Sequence, residues 1–117
     1  MIYSREMLNS YIETALWSSV DDNGQPLDNN YDINDLSFSA LRQAANELRD
    51  FCETAGELLN DCSPTRVAHD FWLTRNSHGA GFWDGDYSKE IGKALTRISK
   101  DMLCVDLYVG DDGKIDC

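Results

Sequence analysis

Glu47, Asp50, Glu53, Glu57 and Asp61 recur every three or four residues. On a helix turning about 100° per residue, all five carboxylates fall within about 120° of one face and span roughly 21 Å. Such a row offers electrostatics rather than bond-making. It can face a protein surface built for phosphates, or it can face water. No Lys stands among the five. Glu53/Glu57 and Glu57/Asp61 are therefore uncompensated i,i+4 pairs on that helix, each destabilising by roughly 0.2–0.5 kcal/mol.

The second group with chemical potential is His78-Gly79-Ala80-Gly81, set among Phe71, Trp72, Phe82, Trp83 and Tyr87. Glycines allow close backbone approach to a ligand, and the imidazole of His78 suits proton transfer. His78, Gly79, Gly81, Trp72 and Trp83 form the candidate ligand loop; a packed corner of the core is the structural alternative. The Gly-x-Gly lacks the strand-to-helix context and third glycine of a dinucleotide loop, and no Walker pattern occurs.

Catalytic and metal chemistry find no anchor. The two histidines, His69 and His78, and four scattered cysteines show no zinc spacing. His69-Asp70 lacks the further His and Asp of a metal phosphohydrolase. Asp28-x-Asn30-x-Asp32 starts like a calcium loop but puts Ile33 at the glycine position and Ser39 at the bidentate glutamate. No Gly-x-Ser-x-Gly is present. No catalytic residue, metal ligand or cofactor is assigned, and a binding function is favoured over an enzyme.

The elements that must position these groups read as follows. Ser4 caps a first helix to about Ser18, with Met7, Leu8, Tyr11, Ile12, Ala15 and Leu16 as its apolar stripe. Residues 19–35 are a polar loop holding Asp21, Asp22, Asp28, Asp32 and Asp35 and no base; a loop of that length is usually functional or mobile. Asp35 or Ser37 starts the acidic-faced helix, which runs to about Asn60. Its other face is apolar: Leu41, Ala44, Ala45, Leu48, Phe51, Cys52, Ala55, Leu58 and Leu59. Ser63-Pro64 opens a third helix, whose end is ambiguous because Phe71–Arg75 also has strand character. Phe82 to Asp86 reads as extended or looped. Ser88 caps a fourth helix with Ile91, Ala94, Leu95, Ile98 and Met102 on one face and Lys89, Lys93, Arg97 and Lys100 on the other. That basic face suits an anion, the acidic stripe of the second helix, or water.

Cys104–Val109 and Lys114–Asp116 form a C-terminal hairpin. A turn at Asp111-Asp112-Gly113, with Gly113 left-handed, pairs Gly110 with Lys114 and sets Cys117 beside Leu107, away from a disulfide with Cys104. The predicted class is α+β: about four helices and a small antiparallel sheet near the C-terminus.

At 117 residues the chain reads as one domain, 1–117, large enough for its own core. Its net charge of −11 is uneven. The acidic helical half, 1–63, has 12 acids against three bases; 64–117 has nine against seven. Such a balance disfavours direct nucleic-acid or anionic-membrane binding and favours basic protein surfaces or cations. No apolar signal segment begins the chain and no run approaches 18 apolar residues, so a reduced, cytoplasmic protein is expected.

Residues 70–84, Asp-Phe-Trp-Leu-Thr-Arg-Asn-Ser-His-Gly-Ala-Gly-Phe-Trp-Asp, and 105–115, Val-Asp-Leu-Tyr-Val-Gly-Asp-Asp-Gly-Lys-Ile, resemble the signature and ending of a family of small, uncharacterised bacteriophage proteins. That family prefers Gly where Ser77 stands and Arg where Gly85 stands. The resemblance covers roughly the last 50 residues, implies a phage or mobile-element origin, and brings no activity with it.

Together these readings lead to an expected function: a phage accessory protein that inhibits a host protein, one of defence or of nucleic-acid binding. Glu47, Asp50, Glu53, Glu57 and Asp61 would stand in for phosphates, with Asp21, Asp22, Asp28, Asp32 and Asp35 extending the field. The first alternative is a small-molecule-binding or catalytic protein, with His78 pointing into a pocket lined by Phe71, Trp72, Phe82 and Trp83. A structural role, including homodimerisation through exposed aromatics, is the other.

Overall fold

Serine hydroxyls open three of the four helices, because the first backbone N–H groups of a helix have no partner within it. In the computed structural model, which describes residues 1–84 and 87–117, Ser4 Oγ accepts from Met7 N at 3.3 Å and starts α1 (Arg5–Ser18). Ser37 Oγ accepts from Ala40 N at 3.0 Å and starts α2 (Phe38–Ala55). Ser88 Oγ accepts from Ile91 N and starts α4 (Lys89–Asp101). α3 (Pro64–Arg75) opens instead on proline at its first position, where a missing N–H costs nothing. The expectation for Gly85 and Asp86 lies outside the described residues.

The apolar stripes read from the sequence are the core. Met7, Leu8, Tyr11, Ile12, Ala15 and Leu16 of α1 are all buried, as are Ala44, Leu48, Phe51, Cys52 and Ala55 of α2. α1 packs most extensively on α3, and α2 and α4 pack around that pair. Stacked rings tie the elements together. Tyr11 lies 5.6 Å from Phe71, Phe71 lies 4.2 Å from Phe51, and Phe51 lies 5.7 Å from Phe82. Each such pair adds about 0.5–1.5 kcal/mol beyond its buried area.

β1 (Tyr108–Val109) and β2 (Ile115–Asp116) form the antiparallel sheet, completing the mostly helical α+β fold. The hairpin register is the expected one: Gly110 N donates to Lys114 O at 2.7 Å, and Gly113 has φ 79°. Ile115 is fully buried, and Ser37 N donates to its carbonyl at 2.8 Å, so the sheet is anchored at the start of α2. A two-stranded ribbon needs such support in water.

Three boundaries differ from the sequence reading. α2 stops at Ala55, not near Asn60: Gly56 takes φ 51°, and a short 3₁₀ turn covers Gly56–Leu59. Phe71–Arg75 stays helical, because its bulky side chains are buried in contacts that only a helix supplies. Cys104–Leu107 lies outside the sheet, held instead by Val105 N donating to Asn76 Oδ1 at 2.8 Å. The thiols of Cys52, Cys62, Cys104 and Cys117 are free.

Candidate functional site

α3 carries two buried charges that the sequence reading did not single out, Arg75 and Asp70. Arg75 is a junction. Its guanidinium meets Glu47 Oε1 at 2.9 Å and donates to Tyr11 Oη at 3.1 Å. It also donates to the carbonyls of Leu103 and Met102, each at 2.7 Å. Those carbonyls end α4, so a cation sits at the negative end of that helix dipole. The grip holds Leu103 in the left-handed region at φ 68° although its side chain is exposed. Burial pushes the Tyr11 hydroxyl up to about 12, against the pull of the Arg75 guanidinium.

Asp70 is the matching anion, itself buried but with partners that reach the surface. Its Oδ1 pairs with His69 Nδ1 at 2.9 Å, and its Oδ2 accepts from Tyr87 Oη at 2.8 Å and Arg66 Nε at 3.2 Å. The Tyr87 hydroxyl is pushed well up, first by burial and then by its bond to the Asp70 carboxylate. Trp17 lies 6.1 Å from the His69 ring. No third group completes a nucleophile–base–orienter relay on the His69–Asp70 pair among the described residues, and no three His, Cys, Asp or Glu side chains there converge on a metal-sized site.

The five carboxylates do not form one free row. Glu47 is half-buried on Arg75, and α2 ends before Glu57 and Asp61. Glu57 stands in the 3₁₀ turn and Asp61 beyond it at φ 66°, so Glu53/Glu57 and Glu57/Asp61 are not the helical i,i+4 pairs expected. Asp50, Glu53, Glu57 and Asp61 are all exposed, and among the described residues none has a cation within ion-pair distance. Arg42 and Arg49, the bases of α2, lie over the rings of Phe38 and Tyr3, each at 4.9 Å. Glu53 occupies the last turn of α2, which has no base; a carboxylate at that end opposes the helix dipole.

The aspartates of the long loop divide by role. Asp21 Oδ1 accepts from Asn23 N and Gln25 N at 2.8 and 2.9 Å. Asp32 and Asp35 form a reciprocal capping box around a 3₁₀ turn at Ile33–Asp35. These three hold the backbone, while Asp22 and Asp28 are exposed. Asp35 precedes α2, and Asp61 follows it. An 18-residue helix is roughly 27 Å long, so Asp35 and Asp61 stand far apart at its two ends.

The glycine loop is tied back to α3. α3 closes with His78 N donating to Leu73 O at 3.0 Å and Ser77 N to Thr74 O at 3.1 Å, with Ser77 left-handed at φ 57°. Thr74 Oγ1 then accepts from Phe82 N, and Asp84 Oδ2 from Gly81 N, both at 3.1 Å. Trp72 is buried and donates to Ser18 Oγ at 2.8 Å. The residues expected around His78 are divided between two recesses: His78 and Trp72 line one with Asn76 and Cys104–Leu107, Phe82 and Trp83 line another beside α4, and Phe71 is buried in the core stack. Gly79 meets nothing that a side chain would strike.

Comparison with known protein families, curated proteins and solved structures finds no match for this chain.

Among the described residues no helix is long and apolar enough to cross a membrane.

Proposed function

We propose that the protein binds a basic, nucleic-acid-binding surface of a host protein through the acidic end of α2, as a phage accessory inhibitor acting in the cytoplasm of an infected cell. The observation that carries this reading is the state of Asp50, Glu53, Glu57 and Asp61: exposed, and without an ion-pair partner among the described residues. The arginines of the same helix are held over aromatic rings and form no ion pair with these carboxylates. Like charges kept together at the dipole's unfavourable end do not serve the helix. They suit a partner rich in Lys and Arg, whose approach such a field accelerates. Glu47 is withdrawn from that surface to the interior, while Asp22 and Asp28 add exposed charge at a distance.

The test is capture from bacterial lysate at low and high salt by the native chain and by D50K/E53K/E57K. A nucleic-acid-binding protein recovered by the native chain at low salt, displaced by DNA and lost in the variant supports the reading. Equal recovery by a folded variant overturns it.

A further inference from the structure

The recess beside α4 differs chemically from the rest of this acidic molecule. Trp83 is 46% exposed, yet its ring is seated: a Cβ on Gly81 would stand 2.8 and 2.9 Å from two of its ring carbons. Thr74 Oγ1 closes on the same point, so the indole lies directly against the Gly81 backbone. The opposite wall is α4, drawn close because Gly92 has no side chain; a Cβ there would stand 2.6 Å from the Phe82 carbonyl oxygen. Trp83, Tyr87, Lys89 and Lys93 thus line a recess of about 400 Å³, within the range of small-molecule sites.

Lys89 and Lys93 stand one helical turn apart, and Arg97 continues their line into a neighbouring recess that Glu90 also borders. Among the described residues no carboxylate lies within ion-pair distance of these three cations. In a chain of net charge −11 these three cations are a local concentration of positive charge, with Asp84 and Glu90 as neighbours in sequence. A seated aromatic ring facing two lysines matches a ligand that is flat at one end and anionic at the other. Bases stack on aromatic side chains whatever their identity, and phosphate oxygens seek ammonium groups.

We propose that this recess binds a nucleoside monophosphate, with the base stacked on Trp83 and the phosphate held by Lys89 and Lys93. The proposal rests on the lining of this recess and stands whether or not the acidic end of α2 has a partner.

Calorimetric titration of the full chain with AMP, adenosine and inorganic phosphate tests it, with tryptophan fluorescence followed in parallel. AMP is expected to saturate below about 1 mM, and adenosine and phosphate to bind at least about tenfold more weakly. K89E/K93E is expected to weaken AMP at least about tenfold, and W83A to abolish the fluorescence change, with circular dichroism unaltered in both. No saturation by AMP, phosphate binding as tightly as AMP, or native affinity in a folded K89E/K93E protein overturns the proposal. Should W83A fail to fold, the lysine variant still decides.

Discussion

The charges of α3 and those of α2 and α4 follow opposite rules. On α3, Arg75 and Asp70 are buried, and their bonds reach other parts of the chain: Arg75 to Glu47, Tyr11 and the end of α4, and Asp70 to Tyr87 as well as to Arg66 and His69 of its own helix. On α2 and α4, Asp50, Glu53 and Lys89, Lys93, Arg97 and Lys100 stay in water. The two sets are not neutralised against each other among the described residues, although α2 and α4 touch. Desolvating a charge is tolerable only when partners meet it with good geometry. Arg75 and Asp70 have those partners, so their charges specify the fold. The surface charges leave the fold nearly indifferent, and their arrangement is open to use by a ligand or partner.

Breaking the buried set should have the largest effect. Arg75→Met strands Glu47, Tyr11 Oη and two carbonyls at once, and should destabilise by about 3–5 kcal/mol, measured by urea unfolding. Raising the salt should leave that loss unchanged, since buried pairs are weakly screened. Alkali reaches the same junction more gradually. The Tyr11 hydroxyl is raised from 10 to about 12, so its contribution is intact below pH 10 and falls as the pH climbs toward 12. The unfolded chain releases its proton first there, which removes on the order of 3 kcal/mol by pH 12. Tyr11→Phe should flatten that part of the pH–stability curve.

Asp70→Ala should matter less, about 1–3 kcal/mol, because Arg66 and His69 are partly exposed and water can replace the carboxylate. The smallest effect has the opposite sign. Glu53→Lys should stabilise by about 0.3–1 kcal/mol by placing a cation in the last turn of α2, read as a higher Tm that shrinks with salt. If the acidic surface is used as proposed, the same substitution weakens partner capture, separating stability from binding. Loss of stability in Glu53→Lys would show that the carboxylate has a structural role after all.

Local rules made much of this fold legible. Serine caps, the proline at the start of α3, the apolar stripes of α1 and α2, and the Gly113 turn all depend on residues within a few positions of each other. Each was readable in order along the chain. The end of α2 was less so: the apolar pattern continues through Leu58 and Leu59, which are partly and fully buried from a 3₁₀ turn rather than a helix. Gly56 was the available signal. Glu47 also carried a signal, since it occupies the edge of its acidic face nearest Phe51 and Ala40, both buried.

The sequence determined the class of the fold, the hairpin register and the strong asymmetry of charge, because periodicity, capping and composition act locally or by simple addition. Tertiary structure decided which charges remain available. Whether Glu47 faces a partner or Arg75 depends on a residue 28 positions away. Whether Trp83 closes a core corner or lines a recess depends on how near Gly81 and Gly92 let their neighbours come. Long-range contact and close approach are properties of the folded chain, and no spacing along the sequence encodes either one.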